Sequence, residues 1–285
     1  VAGQLVKLAL GNTSVGTDTD ATLGTDTGNA GTGVPLQYFN GTSWVDYTAN
    51  SYVSIPAGGT TLLVRTRITN DSTYEGAETF TLTATNTGGT GAEGIATIKD
   101  DGTGDLYPDN TDGSKDTSSR KDDDRALSVN SISVNEASPY AVFTVTGVAG
   151  QLVKLALGNT AVGTDTDASL GTDTGNAGTG VPLQYFNGTS WVDYTANSYV
   201  AIPAGGTTLL VRTAITNDST YEGAETFTLV ATNAGGTGAE GIATIKDDGT
   251  GDLYPDNTDG SKDTSSRKDD DRALAVNSIT VNEAS

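Results

Sequence analysis

Residues 79–85 read Thr-Phe-Thr-Leu-Thr-Ala-Thr, and residues 226–232 read Thr-Phe-Thr-Leu-Val-Ala-Thr. In the first of these, Phe80, Leu82 and Ala84 share one face and threonines fill the other. A period of two marks a β-strand with one buried face, because successive side chains point to opposite sides. Working outward, residues 62–68 place apolar side chains at Leu62, Val64 and Ile68, with Arg65 and Arg67 charged. Val6, Leu8 and Leu10 repeat the alternation, as do Val53 with Ile55 and Ala96 with Ile98. Val142, Phe143 and Val145 supply another strand. Gly, Asn, Asp and Pro separate these runs, and no window carries a helical period. Many short strands punctuated by turns predict an all-β chain built of Greek-key sandwiches.

The strands recur because the sequence does. VAGQLVKLALGNT opens at Val1 and again at Val148, a period of 147 residues. Residues 1–138 match 148–285 without a gap and with eight differences. Three of them, Ser54/Ala201, Arg67/Ala214 and Thr83/Val230, fall on the expected outer faces and support the phase. The segment PYAVFTVTG (139–147) lies between the copies and occurs neither before Val1 nor after Ser285. The chain therefore reads as a window on a longer tandem array, or as a subunit whose strand is shared between neighbours. The expected domains are 1–101, a sandwich lacking its first strand; 102–129, an Asp-rich spacer; 130–248, a complete sandwich; 249–276, a second spacer; and 277–285, the start of the next repeat. Residues 17–33, rich in Gly, Thr and Asp, are expected to form a surface loop.

Composition removes whole classes of function. The chain has no Cys, His or Met, 15 Lys+Arg against 36 Asp+Glu, and a net charge of −21. That excludes thiolate nucleophiles, Ser-His-Asp triads and His- or Cys-ligated metals. Only oxygen donors remain, which suit hard cations such as calcium. The negative charge disfavours a phosphate backbone, so nucleic acid is not an expected partner. No apolar run approaches the length of a membrane helix. Near-identical repeats without thiols fit an extracellular bacterial protein.

The carboxylates are unevenly placed. Asp218, Glu222 and Glu225 crowd NDSTYEGAETF, Asp247 and Asp248 end a strand, Asp193 begins DYTANSYV, and Glu136 precedes a strand. Strand ends and loops of a sandwich meet at its poles. Converging carboxylates repel, and calcium relieves this by accepting about six to eight oxygens. The plain alternative is a solvated acidic rim.

In the second copy VNEASPYAVFTVTG, DYTANSYVAIPAGG, ITNDSTYEGAETFTL and ATIKDDG follow one another in order. This succession resembles the Calx-beta module, an immunoglobulin-like β-sandwich. The resemblance covers most of 130–248 and, without its first strand, 1–101. It implies calcium ligands at Glu136, Asp193, Asn217, Asp218, Glu222, Glu225, Asp247 and Asp248. In the first copy it implies Asp46, Asn70, Asp71, Glu75, Glu78, Asp100 and Asp101. Asn217 and Gly249 stand where that family often has Asp, which implies fewer or weaker ions. Glu283 falls to the next sandwich.

Other features read as structure. Residues 108–113 approach the start of an EF-hand loop, but Pro108 holds the first ligand position and the twelfth-position Glu is missing. A looser calcium site from Asp105, Asp109, Asp112 and Asp116 remains open beside a solvated linker. Asp122-Asp123-Asp124, between Lys121 and Arg125, reads as an exposed mixed-charge turn. Trp44, Tyr38 and Phe39, with Trp191, Tyr185 and Phe186, read as packing aromatics rather than a sugar platform. Without cleft-forming insertions, paired carboxylates do not point to an enzyme. The expectation is a structural or adhesive repeat of a calcium-stiffened fibre, filament or biofilm matrix. Its partners are neighbouring copies of the repeat, through strand exchange in the filament version. A calcium sensor and a glycan-binding module are the alternatives.

Overall fold

The computed structural model describes residues 1–12, 19–28, 36–159, 166–175 and 183–284. Residues 17, 18 and 29–33 of the expected surface loop lie outside the described residues. The described elements are all β-strands, and no helix among them is long and apolar enough to cross a membrane. The chain divides into two compact units, Val1–Arg125 with Ala234–Gly236, and Ala126–Asn233 with Thr237–Ser285.

The first unit holds β1 (Leu5–Gly11), β2 (Thr19–Asp20), β3 (Gln37–Phe39), β4 (Trp44–Asp46), β5 (Val53–Ser54), β6 (Val64–Arg65), β7 (Glu78–Asn86) and β8 (Gly91–Ile98). One sheet has the order β2-β7-β1-β5, with β8 on β7; the other is β4-β3-β6. The alternation read in 79–85 sits in β7, whose Leu82 faces Leu10 of β1 across the antiparallel pair. Leu8, Leu36, Tyr47 and Val53 form its buried centre. The Tyr47 hydroxyl reaches into it, accepting from Leu8 N at 3.0 Å and donating to Ser51 O at 2.7 Å.

The second unit holds β9 (Ser128–Val129), β10 (Ile132–Asn135), β11 (Tyr140–Thr146), β12 (Leu152–Gly158), β13 (Thr166–Asp167), β14 (Gln184–Phe186), β15 (Trp191–Asp193), β16 (Val200–Ala201), β17 (Thr208–Ala214), β18 (Glu225–Thr232) and β19 (Gly238–Lys246). Its sheets are β10-β19-β18-β12-β16, with β13 on β18, and β15-β14-β17-β11-β9. The chain crosses repeatedly from one sheet to the other, as in a Greek-key sandwich. Phe227, Leu229 and Ala231 of β18 are fully buried in the phase the alternation predicts. Phe143 meets Phe227 edge-on at 5.8 Å between ring centroids. One expectation changes: Thr226 and Thr228, placed on the outer face, are also buried. The β13 strand pairs in parallel beside that end of β18, and the Thr226 hydroxyl donates to Thr166 O at 3.3 Å.

The segments expected as spacers are parts of their sandwiches. In the second unit Asp252 bridges Val134 and Tyr254 bridges Tyr140, while Leu253 and Tyr254 are buried. Trp191 Nε1 donates to Asn257 O at 2.5 Å, and Arg212 pairs with Asp256 at 2.7 Å. In the first unit Trp44 donates to Asn110 O at 2.6 Å and Arg65 pairs with Asp109 at 2.5 Å. The sandwich also begins earlier than 130, since β9 pairs with β11. Polar composition concealed this, because side chain to backbone hydrogen bonds fold these segments rather than an apolar stripe.

Candidate metal centres

Each unit gathers two groups of carboxylates. In the second unit the first group is Glu136, Asp247, Asp269 and Asp271, with one oxygen from each within 4.8 Å of the others. Three stretches of chain supply them: the turn after β10, the end of β19, and the returning segment 249–273. Asn135 clips these together. Its Nδ2 donates to Lys246 O (3.2 Å), Thr250 O (2.9 Å) and Asp269 O (3.1 Å), and its Oδ1 accepts from Asp269 N at 2.7 Å. Glu136 Oε1 accepts from Asp218 N at 2.9 Å. Asp247 accepts from Glu222 N and Asp271 N, each at 3.3 Å. Asp271 Oδ2 is buried and has no hydrogen-bond partner.

The second group is Asp173, Glu222 and Glu225, also within 4.8 Å of one another. Glu136, Asp173, Asp218, Glu222 and Glu225 line one small cleft, with Gly223 beside them in its wall. Burial raises Glu136 to about 7, reinforced by Asp247, Asp218 and Asp269 and opposed by the Asp218 N–H. Burial raises Glu225 to about 7 as well, with Asp173 and Glu222 adding repulsion. Glu222 and Asp271 are pushed up by desolvation and then by neighbouring carboxylates. Four acids from three segments share a site, and crowding like charges in a partly buried place disfavours ionising all of them together.

The first unit repeats the arrangement with one member fewer. Asp26, Glu75 and Glu78 form one group, and Asp100, Asp122 and Asp124 the other. Glu75 N donates to Asp100 Oδ2 at 3.2 Å. Asp124 is 6% exposed, and its Oδ1 is buried with no hydrogen-bond partner. Burial pushes this carboxyl to about 6, with Asp122 and Asp100 adding to the rise. Glu75, Glu78 and Asp100 are also raised, in each case first by desolvation.

Of the residues expected as ligands, Glu136, Glu222, Glu225, Asp247, Glu75, Glu78 and Asp100 do gather. Asp218 lines the cleft, but its Oδ1 accepts from Thr220 N at 2.6 Å; Asp71 does the same for Thr73 N at 2.7 Å. Asn217 and Asn70 are exposed. Asp193 and Asp46 are not brought to the pole. They lie on β15 and β4, where each accepts a side-chain amide at 2.8 Å, from Gln184 and Gln37. Asp248 and Asp101 turn away too. Each binds the hydroxyl and N–H of the threonine two residues on, Thr250 or Thr103, which holds it below the usual carboxylate range.

The residues missed are Asp173, Asp269 and Asp271, with Asp26, Asp122 and Asp124 as their counterparts. The Asp-Asp-Asp run is no exposed mixed-charge turn, since Asp123 and Asp124 are buried. The middle Asp bridges to the end of the preceding strand's turn, Asp101 to Asp123 and Asp248 to Asp270. Arg125 forks onto Asp123 at 2.8 and 2.7 Å, and Arg272 onto Asp270 at 2.7 and 2.6 Å. The flanking aspartates point the other way, into the acidic group. That alternation was present in Asp-Asp-Asp-Arg as a strand-like signal.

The looser set of Asp105, Asp109, Asp112 and Asp116 is not gathered into one group. Asp105 pairs with Lys115 at 2.6 Å and Asp109 with Arg65, while Asp112 accepts from Ser114 N and Asp116 from Ser118 and Ser119. The aromatic faces are also occupied. The Arg212 guanidinium lies 3.7 Å from the Tyr140 ring centroid and 4.2 Å from that of Trp191.

Oxygen-only donors, buried acids and orphaned carboxylate oxygens are the donor chemistry of a hard divalent cation. No protein-family model and no curated protein matches the chain. Among solved structures it is similar to CBD12 from CALX1.2, at 13% identity over 81% of this chain and 67% of that one, with a TM-score of 0.23. It is likewise similar to the CupB6 tip adhesin from Pseudomonas aeruginosa, at 12% identity over 86% of this chain and 85% of that one, with a TM-score of 0.23. Likeness at these values carries no functional argument.

Proposed function

We propose that the chain is a non-catalytic structural or adhesive repeat of an extracellular protein, and that calcium stiffens it. The observation that supports this is the Glu136–Asp247–Asp269–Asp271 group, in which a strand end, a turn and the returning segment each contribute acids. A cation there ties the 249–273 segment to its own sandwich, and so fixes where the following repeat starts. Asp247, Asp269 and Asp271 recur 147 positions earlier as Asp100, Asp122 and Asp124, in keeping with a repeated mechanical element.

Binding to the folded state alone stabilises by RT ln(1 + [L]/Kd), about 2.7 kcal/mol at a hundredfold excess of ligand. Extracellular modules work with Kd of about 10⁻⁴–10⁻³ M, so sites with few charges suffice. The test is thermal unfolding of the full chain across a calcium titration, with magnesium as the control. The expected result is a rise developing mainly near millimolar calcium and absent with magnesium. Saturation near micromolar calcium replaces this reading with a sensor. No shift at any concentration leaves a solvated acidic rim and removes calcium from the function.

A further inference from the structure

β11 and β17 run antiparallel, with Thr144 opposite Leu210. Phe143, Val145, Leu209 and Val211 of these strands are fully buried in the sandwich. Alternation therefore turns Val142, Thr144 and Leu210 to the outer face of the sheet. The returning segment packs on that face. Gly260, at φ +65°, sits so close that a Cβ there would lie 3.1 Å from Leu210 Cδ1 and 3.3 Å from Val142 Cγ1. Beside this contact a groove of about 320 Å³ stays open between the segment, the sheet face and residues 130–133. Small-ligand sites begin at about that size, roughly 300–1,000 Å³.

The walls are held by hydrogen bonds of their own. Asp252 N donates to Ser133 O at 2.9 Å, and Asn130 Oδ1 accepts from Thr144 N at 2.6 Å. Gly260 N donates to Asn257 Oδ1 at 2.9 Å and closes the turn. A groove fixed in this way needs little ordering when a ligand enters.

The lining selects the ligand. In a chain of net charge −21 this groove is neutral, since its charged lining residues among those described are Asp252 and Lys262, paired at 2.8 Å and both partly open to solvent. An anion meets the repulsive field of the whole chain, and a cation has to displace Lys262. Donors and acceptors both stand open. Among the described residues no hydrogen bond occupies Asn130 Nδ2, a donor, or Asp252 Oδ1, an acceptor. The same holds for the hydroxyls of Ser133 and Thr144, which do both. Ile132 and Leu210, each partly exposed, give the groove apolar surface. The ligand that matches is uncharged, carries adjacent groups that each donate and accept, and has a C–H face to lay on Leu210.

We propose that this groove binds a neutral saccharide, whose hydroxyls bond Ser133, Thr144 and the Asp252–Lys262 pair while its C–H face covers Leu210. The proposal rests on the adhesive part of the function proposed above, to which it gives a ligand, and it does not depend on calcium.

The test is binding of the labelled full chain to an array of neutral hexose and N-acetylhexosamine oligosaccharides beside their sialylated forms, in calcium and in chelator. The strongest neutral oligosaccharide is then titrated by calorimetry, and thermal unfolding is followed on the same samples. Binding to a subset of the neutral glycans is expected in both conditions. Thr144→Arg, which fills the groove, is expected to abolish it. Lys262→Met and Ser133→Ala are expected to weaken it at least tenfold with the melting profile unchanged, and they carry the test should Thr144→Arg not fold. Lys115→Met, which breaks the matching ion pair of the first unit, leaves binding as it was. An array on which no neutral glycan binds, with the calcium-dependent melting shift intact, overturns the groove and leaves the calcium-stiffened repeat standing. Binding that survives Lys262→Met and Ser133→Ala, or that needs calcium and favours the sialylated forms, places the sugar elsewhere and overturns the groove as well.

Discussion

Arg212 of the second unit is clamped between Tyr140 and Trp191, whereas Arg65 of the first, in the same sequence context, has among the described residues Trp44 alone, at 4.3 Å. The difference runs through the whole second sheet. Residues 208–214 form a seven-residue strand along β11, while the first unit's Val64–Arg65 is a strand of two. Ile215 is 9% exposed and Ile68 49%; Tyr254 is 5% exposed and Tyr107 64%. Nearly one sequence thus gives two degrees of order, and strand length follows the partner rather than propensity. The sheet carrying β7 and β8 keeps the pairings of its counterpart except that, among the described residues, no strand sits on β8 as β10 sits on β19, and β8 is the more exposed of the two.

The largest expected consequence is a calorimetric trace of the full chain with two transitions, the first unit melting lower. Phe227→Ala, which opens a cavity against Phe143, is expected to cost about 3–5 kcal/mol and to move the upper transition. Phe80→Ala moves the lower one by less, because among the described residues Phe80 has no such ring partner. A single transition shifted equally by both variants breaks the comparison. Next in size is the clamp. Arg212→Lys loses a stack between two rings and a fork to Gln184 and Asp256, and is expected to cost about 2 kcal/mol. Arg65→Lys, with one ring and a more exposed pair, is expected to cost about 0.5 kcal/mol in the same scans.

The strands were legible because burying one face forces a period of two, and β7 and β18 follow the alternation of 79–85 and 226–232. The repeat was legible by inspection. The 102–125 fold was not, because nothing apolar announces it. Asn110 and Asp116 organise that segment by accepting backbone N–H groups, as with Gly113 and Ser118, a local code that reads as a polar linker. The acidic groups were half legible. Acids at strand ends were found by proximity in sequence, whereas Asp269 and Asp271 come from a segment whose return to the pole rests on Asn135. Asp193 and Asp248 stand apart for the converse reason: a neighbouring Gln or Thr already hydrogen-bonds each acid where it lies.

The smallest effect, and the most diagnostic of the acidic poles, is on pH. Glu136 and Glu225 sit near 7 in the folded second unit, against about 4.3 for glutamate in an unfolded chain. The folded state therefore binds protons more tightly, so this contribution is fully present below about pH 4 and is lost as pH rises through 7. In the first unit Asp124 sits near 6 against about 3.9, so its loss is complete at lower pH. In chelator the upper transition is expected to fall by a few degrees between pH 5 and 8, with most of the lower transition's fall finished by pH 7. Saturating calcium reverses the slope, because the cation binds the deprotonated acids and competes with protons for them. Glu225→Gln and Glu136→Gln each flatten the chelator profile of the upper transition and leave the lower one unchanged. A chelator profile that rises from pH 5 to 8 in both units means that the carboxylates are stabilised as anions without a metal, and the poles hold no site.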